Sequence, residues 1–240
     1  MQFLRRLLWT PINLMVLAVL LHLALSWLQG GMDRIGALDP DRLMPYGLIV
    51  VGFGLFHFFL LNRFVTFWEV FFHELTHGLF ALLTFNRIQG FRATMMQGGE
   101  LTFQGRGNWV IYLAPYFFPL PAMALMPLSL LAKAEYTPYI YGAVSVGYGF
   151  FLVTAIRQFS FSQSDIIKAG RIFSVLMVPT LTLLIGLLMA FYLQGEGMRF
   201  VEVSGDILMG ETWPWLQEGW RWLLGQAEAL TLSEGRLGTI

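Results

Sequence analysis

Six stretches of this chain run for about 20 residues with few charges, the length of helix that crosses the hydrocarbon core of a bilayer. They cover residues 10–29, 44–62, 64–85, 108–131, 139–159 and 172–194. Backbone polar groups in hydrocarbon must be satisfied within the segment, so runs of this kind leave the chain little choice but helix. Composition agrees: 56% of the 240 residues are hydrophobic and 12% charged, with a mean hydropathy of +0.62, too apolar for an ordinary water-soluble domain. The expectation is an all-α polytopic membrane protein of about six transmembrane helices, multi-pass in the cell (cytoplasmic) membrane, with the lipid bilayer as its first partner.

The remaining composition excludes several functions. Lysine plus arginine and aspartate plus glutamate are equal at 15 each, without a basic run, so no nucleic-acid surface is expected. With no cysteine there is neither a thiolate metal site nor a cysteine nucleophile. Arg5 and Arg6 ahead of the first apolar stretch resemble a signal peptide, but the stretch is long and lacks a small-x-small cleavage site, so it reads as a retained span. Loop arginines and lysines place both termini outside and run the third stretch inward under the positive-inside rule.

Along the chain, residues 1–63 read as two N-terminal spans, 64–194 as a membrane core and 195–240 as an amphipathic tail. Segments 91–97 and 100–104 alternate in part and meet at Gly98 and Gly99, which predicts a small membrane-associated β-hairpin over 91–104 with those glycines as its turn. Pro115, Pro119, Pro121 and Pro127 interrupt the fourth stretch and should bend or break it, which is tolerated where protein or a wet cavity covers the freed carbonyls. Trp213, Trp215, Trp220 and Trp222 suit a tail helix at headgroup level, with ordinary packing as the alternative.

Chemistry is concentrated in the third stretch, which reads His73-Glu74-Leu75-Thr76-His77. Two histidines four apart share a helical face and can bind one metal. Zinc accepts neutral imidazole nitrogens, and three protein ligands leave one position open for chemistry. Glu74, beside the first ligand, is then the general base. A central acidic residue costs at least ~2.5 kcal/mol in a span, and Glu69, His73, Glu74 and His77 share one helix, so a compensating partner is required. The acidic candidates for third ligand are Glu100, Glu135, Asp165 and residues of the tail. Asp165, in a polar, non-helical-looking run from 160 to 165 between two apolar stretches, is favoured because such a run dips into a membrane only to line a wet site.

Glu69, one turn before His73, is a possible hydrogen-bond partner for a ligand imidazole, or else pairs with Arg63. His57 and His22 stand alone among apolar residues and read as packed, hydrogen-bonded side chains.

A membrane-embedded His-Glu-x-x-His, a glycine-containing hairpin, a proline-broken helix and an aspartate before the last span together resemble the site-2 protease family of intramembrane zinc metalloproteases, here a compact member. The resemblance covers about residues 64–179 and implies one Zn2+ per chain held by His73, His77 and Asp165, Glu74 as base, and a hairpin that presents a membrane protein or peptide substrate. Ser164-Asp165-Ile166 stands where the family has Leu-Asp-Gly. The function expected is a zinc endopeptidase cleaving transmembrane or membrane-proximal segments. The alternatives are a membrane metallopeptidase of another family with a glutamate third ligand, and a metal transporter or scaffold with no use for Glu74.

Overall fold

A computed structural model describes residues 2–31, 33, 38–60, 64–94, 98–105 and 107–237. In chain order its main helices are α1 (Gln2–Ser26), α2 (Pro40–Leu60) and α3 (Phe64–Leu83), followed by strands β1 (Arg87–Thr94) and β2 (Gly98–Gln104). Then come α4 (Trp109–Phe117), α5 (Leu120–Leu125), α6 (Leu128–Leu131), α7 (Thr137–Gln158), α8 (Ser164–Ala169), α9 (Arg171–Leu193), α10 (Gly197–Ile207) and α11 (Trp213–Leu237). Two compact units emerge, one from residues 1–37 with 196–240, the other from residues 38–195.

In the first unit, α1 runs on as a π turn (Trp27–Gly31), and a second π turn (Leu208–Thr212) joins α10 to α11. Trp27 is fully buried, stacked on Phe200 at 4.6 Å and donating its indole N–H to Ser204 Oγ at 3.0 Å. His22 shares a 3.0 Å hydrogen bond with Thr212 Oγ1 and stacks on Trp215, the packed role expected for it. Trp213, Trp215, Trp220 and Trp222 are all exposed along α11.

In the second unit, α2 lies along α7. Glycines make the approach possible: a Cβ on Gly149 would sit 2.7 Å from the Val50 carbonyl oxygen, and one on Gly147 would sit 2.9 Å from the Ala122 nitrogen of α5. Ala122, Val144, Met189, Tyr192 and Leu193 form the buried apolar centre joining α5, α7 and α9.

The fourth apolar stretch is broken as its prolines require. The helix axis turns by 81° between Trp109–Phe117 and Leu120–Leu131, where Phe118 is extended and Pro119 leaves the helical region. Helix α3 ends in a Schellman motif: the Phe85 N–H bonds the Leu82 carbonyl, and the Asn86 N–H bonds that of Ala81. Phe85 takes the left-handed conformation at φ 60°.

Two expectations change. Four described helices are long and apolar enough to cross a membrane, or five counting the bent pair as one span, where six were expected. The third stretch is helical for 20 residues, but its four ionisable side chains lower its hydropathy. Gly98 and Gly99 are not the hairpin turn. They open β2 and pair with Thr94 and Ala93, so the link between the strands falls on residues 95–97, outside the described set. The reason lies in α3: a Cβ on Gly99 would overlap the Glu74 side chain and lie 2.7 Å from Val70 Cγ1, so glycine there permits contact between strand and helix.

Candidate metal centre

His73, Glu74 and His77 stand in the middle of α3, and Asp165 sits in the first turn of α8. The expectation of a non-helical run holds only up to residue 163, because Ser164–Ala169 is a short helix. Three donor atoms converge: His77 Nε2 lies 3.1 Å from His73 Nε2 and 3.3 Å from Asp165 Oδ2, and His73 Nε2 lies 3.7 Å from the same oxygen. Bonds of ~2.0–2.2 Å at tetrahedral angles would hold donors about 3.4 Å apart around one zinc, so this spacing fits a single ion. The donor set, two imidazole nitrogens and one carboxylate oxygen, is also one that zinc favours. It is the only such group of three among the described residues.

Each of the two imidazoles is also held from outside the cluster. His77 Nδ1 donates to the Ile111 carbonyl at 2.7 Å, which fixes the tautomer and leaves Nε2 unprotonated toward the cluster. The Gln158 side chain reaches the His73 imidazole from the end of α7. Asp165 Oδ2 faces both Nε2 atoms across the cluster.

The cluster opens into a cavity of about 460 Å³ lined by α3, β2, α4 and α8. Glu74 lines it beside the cluster but outside the donor trio, with the Leu101 backbone N–H donating to its carboxylate and Gly99 pressed against it. Glu100 lines the rim on β2, paired across the sheet with Arg92. Glu135 lies in a 3-10 turn (Ala134–Tyr136) and takes no part in the trio. Lys168 also borders the cavity, with its ammonium 5.4 Å from the Tyr112 ring centroid.

Glu69 does not partner a ligand imidazole among the described residues. Its Oε1 meets the buried His57 Nε2 at 3.0 Å and Nη1 of the partly exposed Arg157 at 3.3 Å, forming a cluster that ties α2, α3 and α7 together. Four residues advance an α-helix by about 400°, so Glu69 stands some 40° round from His73 and faces these helices instead. His57 is fully buried and stacked on Phe150, as expected of a packed histidine. Arg63, the other suggested partner for Glu69, lies outside the described residues. Gly99, Ile111 and Gln158 belong to the site but were not read from sequence as site residues. Gly99 carried a signal that was assigned to a turn, and the Ile111 carbonyl has no side-chain signature at all.

A family model described as Peptidase M50B-like matches residues 46–194, which include every element of this cavity. No curated protein and no solved structure matches the chain.

Proposed function

Because this chain belongs to the Peptidase M50B-like family, we propose that it is a zinc-dependent intramembrane endopeptidase, cutting a transmembrane or membrane-proximal segment of a membrane protein. The observation that carries the reading is the convergence of His73, His77 and Asp165 within 4.8 Å of one another, with Glu74 on the same cavity. Those three residues would hold one zinc, which when bound supplies a Lewis acid that polarises a peptide carbonyl and acidifies water.

The protein's own groups supply the rest. Glu74, oriented by the Leu101 N–H, takes the proton from an attacking water and returns it to the leaving amine. Strand β2 forms one wall of the cavity, and an unwound substrate segment adding to the hairpin edge would lie across Glu74. In this reading α3 is a further span despite its charges. Its ionisable residues face the metal cluster and the His57–Glu69–Arg157 cluster, which compensates them. The chain would then be a multi-pass protein of the cytoplasmic membrane.

The test is zinc content by mass spectrometry and cleavage of membrane-peptide reporters, measured on detergent-purified wild type, His73→Ala, Asp165→Ala and Glu74→Gln. About one zinc per chain, lost with His73 or Asp165 but kept without cleavage in Glu74→Gln, is the expected pattern. Biological activity that survives Glu74→Gln but not His73→Ala would instead make this a binding protein.

A further inference from the structure

Helix α4 carries Pro115 in its interior, four residues after Ile111. In an α-helix the N–H of residue i+4 bonds the carbonyl of residue i, and proline has no N–H. The Ile111 carbonyl is therefore deprived of its intrahelical donor by the identity of residue 115 alone. Ile111 is fully buried, and a buried carbonyl must find a donor elsewhere. It finds His77 Nδ1, at 2.7 Å.

The two needs are complementary. A histidine that binds metal through Nε2 keeps its proton on Nδ1 and needs an acceptor that holds the ring in place. The proline ring also crowds the carbonyl four residues back, tilting it away from its own helix. The peptide group that bears this carbonyl is anchored on its other side, the Tyr112 N–H donating to the Asn108 carbonyl at 3.2 Å, and Asn108 Oδ1 accepts from the Ile111 N–H at 3.0 Å.

We propose that Pro115 is a positioning residue for the metal centre: by withholding an N–H from the Ile111 carbonyl it reserves that carbonyl for His77. Restoring the N–H gives the carbonyl back to its helix and loosens the His77 ring. This rests on the metal-binding reading of the site above.

The experiment measures zinc affinity of the full chain in detergent by competition with a chromophoric chelator, and the visible spectrum of the cobalt(II)-loaded protein. Pro115→Ala and Pro115→Ser both restore the N–H. Pro121→Ala, in the first turn of α5 where no helical N–H is required, is the control. The expected result is zinc binding roughly 10–100-fold weaker in both Pro115 variants, with an altered cobalt spectrum. The metal-free melting temperature should stay equal or rise, because removing an interior proline favours helix. A merely structural proline would not move affinity and helix stability in opposite directions.

Zinc affinity in the Pro115 variants within twofold of wild type would overturn the inference alone. So would an equal loss in Pro121→Ala, or a metal-free Pro115 variant that melts lower or fails to fold. A wild-type chain that takes up no zinc would overturn the peptidase reading, and this inference with it.

Discussion

Gly99→Ala tests whether β2 is pressed against Glu74. The added methyl would overlap Glu74 Cγ and lie 2.7 Å from both Glu74 Oε1 and Val70 Cγ1, about 0.7 Å inside the 3.4 Å of an ordinary contact. Val70 and Glu74 are one turn apart on α3, so no single side-chain rotation relieves both, and either the strand or the helix must give. Overpacking of this size costs about 1–3 kcal/mol. At about 2–4 °C per kcal/mol for a chain of this length, melting should fall by several degrees. A shift of about 1 Å in Glu74 would lower turnover by ~10²-fold on whichever membrane peptide the wild type cleaves. Zinc content should be unchanged, because none of the three donor residues is touched. Gly52→Ala in α2, with nothing within 4 Å of the new methyl, should have the opposite sign, stabilising by up to about 1 kcal/mol. The assay is thermal unfolding with parallel zinc analysis and peptide cleavage. A Gly99→Ala protein that melts within about 1 °C of wild type and cleaves within twofold would refute the contact between the strand and Glu74.

Stripping metal with a chelator should lower the melting temperature, and zinc at about 100 times its Kd should restore roughly 2.7 kcal/mol, read as a rise of about 5–10 °C. An unresponsive melting curve would count against a metal centre. Arg157→Met leaves the buried Glu69 carboxylate with only His57 beside it; because the Arg157 side chain is itself partly exposed, the cost should be about 1–3 kcal/mol in chemical or thermal unfolding. A change below ~1 kcal/mol would show that the cluster is solvated.

Much of the site was legible because its chemistry is local. A helix places residues four apart on one face whatever surrounds it, so His73 and His77 could be paired from spacing alone. Glu74, as the motif's carboxylate, follows from the same pattern. The prolines from 115 to 121 likewise forecast the break in the fourth stretch, because a missing N–H acts on its own helix. Asp165 was named among several acids on the argument that a polar run beside apolar spans must line something wet, and it does line the cavity.

The rest depended on what meets across space. Gly98 and Gly99 carry the same glycine signature whether they form a turn or admit a neighbour, and only the approach of β2 to α3 distinguishes the two. Glu69 has the right helical spacing to assist His73, yet His57 from α2 and Arg157 from α7 claim it, and no local pattern reveals a competitor from elsewhere in the chain. The Ile111 carbonyl is a backbone atom present in every residue, so its role exists only once α4 lies against α3. Sequence alone therefore carried the membrane class and the paired histidines with their neighbouring glutamate, which follow from intrinsic chemistry and helical periodicity. Tertiary structure added that Asp165, favoured from sequence among several acids, is the carboxylate beside His73 and His77, and alone decided which groups hold those imidazoles in place, because that depends on packing between distant segments.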